Sequence, residues 1–321
     1  MARWQAFGRF IAGHMIYIVP FCLAGGIFLP GVFSRLNPVV PALFALMTFQ
    51  GSLTSGFDDL LACLRRPLPL IVALLVTSVA MPAVACALGQ AIFRDPQTTC
   101  GLVLEYSVPI GVVSIMWVGL FEGDVTLGLA TLMASTLLSP LSIPLTLSVL
   151  VGATVSMDPL AMMQEMLLMI ALPALAGMAV NQLSRGWGGE VLSPALSPAC
   201  RVILVLIIAA NSTGISDYML HLSPRLLGIM LFVGCFASSG FVVGLLLGKL
   251  MGLGRPQAVT LTFDCGLRNI SAGAVIAERF FGPAVMFPVM MGTLFQQFLA
   301  AAFGSLLGRR FGGEGEPSPE A

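Results

Sequence analysis

Asp264 and Arg268 stand four residues apart in TFDCGLRNIS, residues 262–271, inside a stretch that is apolar for many residues on both sides. On a continuous helix that spacing, acid before base, lets the two side chains pair. If Gly266 unwinds the helix, they separate and face different surroundings. Arg268 lies about 12 residues from each end of its apolar run, roughly 18 Å at 1.5 Å per residue, too far for its side chain to reach a polar surface. In a lipid interior such a charge costs on the order of 2.5–3.5 kcal/mol and calls for a partner. Glu105, just before SVPIGVV (107–113), is a second carboxylate in an apolar run, placed to approach Arg268 where two broken segments cross. With all three ionised the set sums to minus one, and a single proton neutralises it. The chemistry on offer is charge coupling inside a membrane, with two carboxylates and a guanidinium sharing a proton or an ion. A static ion pair that only fastens two helices is the plainer use of the same residues.

Asn269, Ser271, Ser107, Ser114 and Thr77 add neutral polar groups near the same depth. Single hydroxyls in helices usually bond their own helix carbonyls, so each taken alone reads as structural. Gln296 and Gln297 are a stronger signal, because two adjacent large amides in an apolar helix both need partners. Glu165 falls in the first turns of its apolar run and reads as interfacial. Asn211, Ser212 and Thr213 read as an exit turn, and His14 and His221 carry no assigned role. The chain has no nucleotide-binding loop, no cluster with metal-ligand spacing and no nucleophile elbow, so no enzyme is expected. A channel fits less well, since the ionisable residues form no repeated ring.

The elements that must position these residues are membrane helices. Only 9% of the 321 residues are charged, against roughly 25% in soluble domains, and the mean hydropathy is +0.97. Net charge is zero, which gives no sign of a nucleic-acid partner. Cysteines 22, 63, 86, 100, 200, 235 and 265 are scattered without paired spacing, so neither disulfides nor a zinc site is indicated. The N-terminal run lacks a small-residue cleavage site and reads as a first span rather than a signal peptide.

Apolar runs predict an all-α protein with spans near 9–29, 38–56, 68–93, 98–121, 125–151, 160–183, 197–215, 224–250, 256–281 and 284–308, followed by a disordered polar tail over 312–321. With an even span count and cytoplasmic termini, the inner ends hold Arg3, Arg9, Arg65, Arg66, Arg185, Arg201, Lys249, Arg255, Arg309 and Arg310. The outer ends hold Arg35, Arg94, Arg225 and Arg279. Ten against four is the positive-inside bias. The fourth and ninth spans are each interrupted, around Pro109 and Gly111 and around Gly266. These are matching places in two halves of five spans. An odd number per half inverts the second, and paired breaks in inverted repeats place half-helix ends, and so binding groups, at the midplane.

The chain resembles the bile acid/sodium symporter family over essentially its whole length. The resemblance is carried by LRRPLPLIVALLVTSVAMP (64–82), PIGVVSIMWVGLFEGDVTLGLATLMASTLLSPLSIPL (109–145) and TFDCGLRN (262–269). It implies ten helices, with spans one, two, six and seven as a panel and the other six as a core in which spans four and nine cross. It also implies organic anions in the cleft between them and two sodium ions behind the crossing. Against the family pattern, Ile115 replaces an Asn beside the retained Ser114, and Gly128 and Leu132 replace hydroxyl ligands. Thr77 replaces a Gln, Asp264 a Glu, and Arg268 the Gln that follows it. A residual sodium site would use Ser114, Ser135 and Asp264.

The expected function is secondary transport of a small organic anion by alternating access across a bacterial cytoplasmic membrane. It is expected to be sodium-independent or proton-coupled and to need no cofactor. The coupling or binding set is Asp264, Arg268, Asn269, Glu105, Ser114, Pro109, Gly111, Gly266, Thr77, Gln296 and Gln297. A sodium-coupled symporter and a non-transporting scaffold or sensor on the same fold are the alternatives.

Overall fold

The computed structural model describes residues 2–57 and 67–311, so Arg65, Arg66 and the tail over 312–321 lie outside the described residues. Every described element is a helix. In chain order they are α1 (Ala2–Gly13), α2 (Met15–Phe28), α3 (Pro30–Ser52), α4 (Pro67–Phe93), α5 (Pro96–Ser107), α6 (Val113–Leu120) and α7 (Val125–Leu150). Then come α8 (Pro159–Leu183), α9 (Gly188–Leu220), α10 (Pro224–Leu250), α11 (Arg255–Gly266), α12 (Ile270–Phe280) and α13 (Pro283–Phe311). Seven of them, α3, α4, α7, α8, α9, α10 and α13, are long and apolar enough to cross a membrane. The predicted first span is divided at His14 into α1 and α2, and the predicted second and seventh spans belong to helical segments that begin earlier, at Pro30 and Gly188.

The starts of the helices are written locally. Asp124, Asp158, Ser223 and Asn269 each accept a backbone N–H from the first turn of the helix that follows, which satisfies donors that no helical carbonyl can reach. Asp95 does the same for α5, accepting from the Thr98 N–H at 2.8 Å and from its hydroxyl at 2.5 Å, with Arg225 at 3.3 Å. Burial pushes the Asp95 carboxyl up, but these bonds and Arg225 outweigh it and hold the group below the usual carboxylate range. A depressed carboxylate stabilises the fold above its unfolded-state value and loses that contribution as pH falls through its folded one. Asp95→Ala should therefore lower stability by about 1 kcal/mol at neutral pH. In melts of the detergent-solubilised protein the deficit should shrink only in acid.

Two sets of helices pack chiefly among themselves. The first is α1, α2, α3, α8 and α9; the second is α4, α5, α10, α11, α12 and α13, with α7 against α5, α6 and α11 and also against α8. The second set holds the three buried charges, Glu105, Asp264 and Arg268. Its tightest seam is α10 on α11, where Gly240 and Gly244 of α10 bring the two backbones together at Cys265 and Leu261.

A candidate coupling site at the crossing of two broken helices

α5 ends at Ser107 because Val108 precedes a proline and is driven into an extended conformation (φ −63°, ψ 154°). Pro109 has no N–H to offer, and the chain re-enters helix at Val113. The second break runs from Leu267, also extended (φ −107°, ψ 123°), to Asn269, which caps α12 through the Ala272 N–H at 3.2 Å. Buried backbone groups at such breaks need partners, and the two breaks supply them to each other. The Gly111 N–H donates to the Leu267 carbonyl at 3.0 Å and the Asn269 N–H to the Pro109 carbonyl at 2.8 Å, so that Ile110 and Arg268 face each other as an isolated antiparallel bridge. The Ile110 N–H donates to Ser135 Oγ of α7 at 3.2 Å, and that hydroxyl donates to the Leu132 carbonyl at 2.9 Å. A Cβ on Gly111 would stand 2.8 Å from the Arg268 carbonyl oxygen, so the crossing requires glycine there. Gly266 packs its α-carbon directly on the ring of Phe241.

Around this crossing the three charges are all buried, with Asp264 0%, Glu105 2% and Arg268 5% exposed. Because α11 stops at Gly266, the helical i,i+4 pairing of Asp264 with Arg268 does not form. The two carboxylates occupy equivalent places, each two residues before the end of its half-helix, Glu105 in α5 and Asp264 in α11. Unpaired carbonyls make a helix C-terminus the negative end of its dipole, which disfavours a carboxylate there and favours a cation. Arg268 is that cation, within electrostatic reach of both. The charges are left under-bonded: both Asp264 oxygens, Glu105 Oε2, one terminal Arg268 nitrogen and Ser114 Oγ have no hydrogen-bond partner of good geometry. Ser114, fully buried in α6, still lies within electrostatic reach of Asp264.

The other expected residues divide. Asn269, Pro109 and Gly111 build the crossing. Thr77 is buried on the π-helical turn of α4, and its hydroxyl returns to the Leu74 carbonyl of its own helix at 3.3 Å. Gln297 accepts from the indole N–H of Trp117 at 3.3 Å, while Gln296 leaves its Oε1 buried and unpaired. Two residues come to the site that spacing gives no hint of. Tyr106, within reach of Glu105 and Arg268, donates its hydroxyl to the Val233 carbonyl at 3.3 Å. Gly292 of α13 lies directly against the Glu105 carboxylate, where a Cβ would collide with Oε1. Adjacency to Glu105 could have flagged Tyr106; nothing local flags Gly292. Among the described residues no three His, Cys, Asp or Glu side chains gather as a metal site would require.

Similarity to known proteins bears on this geometry. The family model described as Sodium Bile acid symporter family matches residues 40–222. The chain is 40% identical over 296 residues to an uncharacterised protein, YbaS, of Bacillus subtilis, covering 92% of this chain and 97% of that one. It is 23% identical over 273 residues to an uncharacterised sodium-dependent transporter, YocS, of the same organism, covering 85% and 84%. It is 25% identical to a probable chloroplastic sodium/metabolite cotransporter, BASS1, of Oryza sativa, covering 92% and 71%. A match over more than half the chain, joined to an all-helical fold with paired broken helices, places this multi-pass membrane protein in the sodium bile acid symporter family of transporters.

Proposed function

We propose that the protein carries a small organic anion across a bacterial cytoplasmic membrane by alternating access, with its termini in the cytoplasm, and that it does so without sodium. In this reading α1, α2, α3, α8 and α9 form the panel and the remaining helices the core, giving ten spans once α1/α2 and the broken pairs α5/α6 and α11/α12 are each counted as one. The observation that carries it is Arg268, a cation buried within electrostatic reach of both Glu105 and Asp264. A guanidinium there supplies the positive charge that the ends of the two half-helices favour, and which a bound cation would otherwise provide. With all three groups ionised the cluster carries a net charge of minus one, so one proton completes its neutralisation and can serve as the coupled ion. The N-terminal ends of α6 and α12 offer positive dipole ends to a carboxylate in the cleft.

Sodium coupling has its own support. Asp264 and Ser114 leave three unpaired oxygens close together, and YocS and BASS1 are both named for sodium. The experiment that separates the two readings is thermal unfolding in sodium against potassium buffer, repeated over pH and with a series of carboxylates. Ligands that bind only the folded state raise the midpoint by mass action. The expected result is no sodium-specific rise, with stabilisation by a carboxylate that depends on pH. A rise in sodium alone would establish the symporter instead. Uptake of the stabilising carboxylate into proteoliposomes then identifies the cargo.

A further inference from the structure

At the end of the molecule where α12 finishes, a cavity of about 420 Å³ opens between the two helix sets. Ser34, Asn37 and Pro38, in the 3-10 stretch of α3, line one wall, and Val275, Glu278 and Arg279 of α12 line the other. Asn37 presents a buried Oδ1 with no hydrogen-bond partner. Arg279 is ten residues beyond Asn269, about 15 Å along α12 from the crossing. Its Nε donates to Glu165 Oε1 of α8 at 2.6 Å. Glu165 belongs to the first helix set and Arg279 to the second, so this bond ties one to the other. The pairs Arg225–Asp95 and Arg255–Glu122, in contrast, join parts of the second set.

We propose that Glu165 and Arg279 form a latch across the seam, and that Arg279 is the cation that an entering carboxylate takes over from Glu165. The inference rests on the alternating-access reading for its meaning as a gate, and on the positive-inside orientation for placing it at the outer face. While Arg279 is held by Glu165, the remaining ionisable group on the cavity wall is Glu278, whose charge repels an anion. When a carboxylate binds Arg279 the repulsion is offset, the tie between the helix sets is released, and the way along α12 toward Asn269 and Arg268 opens. The pair is partly exposed, with side chains 62% and 26% accessible, so it is weak enough to be exchanged for a substrate within a transport cycle.

The test uses the full-length protein in membrane vesicles and does not need transport to occur. Val275→Cys places a thiol in the buried wall of the cavity, and a membrane-impermeant maleimide reports how often that wall opens, with modification read at that peptide by mass spectrometry. Glu165→Gln in this background should speed modification about fivefold, the shift expected from losing one partly exposed ion pair. The exchanged pair, Glu165→Arg with Arg279→Glu, should slow it again. Among pyruvate, succinate and benzoate, at least one should speed modification with Arg279 present and none should do so in Arg279→Gln. A rate within twofold of the parent in Glu165→Gln would overturn the latch. An equal response to carboxylates with and without Arg279, or no response to any of the three, would overturn the handover. Either failure would leave the sodium-independence question untouched, since that is decided by unfolding in sodium and potassium.

Discussion

Arg268→Gln is expected to unfold at a markedly lower temperature than the parent and to become responsive to sodium. The substitution leaves Glu105 and Asp264 buried at the negative ends of two half-helices with no cation between them. Removing one member of a buried charge set typically costs about 3–5 kcal/mol, because the remaining charge is left uncompensated. Adding Asp264→Asn removes one of the stranded carboxylates and should return part of the loss, so the two substitutions should be strongly non-additive, as expected for members of one charge network. Sodium, but not potassium at the same concentration, should raise the midpoint of Arg268→Gln by binding where the guanidinium sat. Melting curves for the two single variants and the double variant, each in both salts, check every part of this. A single variant as stable as the parent and indifferent to sodium would show that Arg268 does not stand in for an ion.

Gly292→Ala should be strongly damaging for a single methyl group added to α13. The new carbon would collide with the Glu105 carboxylate and also press on Ile270, the first residue of α12. Overpacking of this kind costs about 1–3 kcal/mol where the neighbours can shift, and here the neighbour is a buried charge whose position sets the cluster. Gly308→Ala, on the same helix with nothing within 4 Å of its added carbon, should be neutral or stabilising by up to about 1 kcal/mol through helix propensity. Comparing the two variants in one unfolding assay isolates the contact from the general effect of replacing glycine. Loss of transport in Gly292→Ala with normal uptake in Gly308→Ala is the expected functional counterpart.

The composition and the placement of charges made much of this legible beforehand. Three ionisable residues too far from any interface to reach water had to meet one another, and Pro109 and Gly266 marked where the helices would yield. The broken segments were therefore visible as a matched pair. What sequence could not reveal is how the breaks are joined, because the joining bonds are made by backbone atoms of Pro109, Gly111, Leu267 and Asn269, which carry no side-chain signature. The same limit hides Gly292, a residue whose role is to occupy no space, and the latch, whose two members are 114 residues apart. Glu165 taken alone is an interfacial carboxylate; only the folded chain, which brings Arg279 to it, gives it a partner. Thr77 is marked by depth and polarity, and its hydroxyl donates to a carbonyl of its own helix.

The bridge between Ile110 and Arg268 is held by main-chain hydrogen bonds and by the Ser135 hydroxyl, and by neither of the side chains it sets face to face. Fastening and chemistry are thus divided between different atoms of the same residues. A lineage can exchange the side chain at position 268, an amide for a guanidinium or the reverse, while the joint that fixes the two half-helices stays closed. On the proposal that Arg268 stands in for an ion, changing the driving ion becomes a matter of one or two substitutions on a standing framework, and the energy source of such a carrier can drift while its architecture does not.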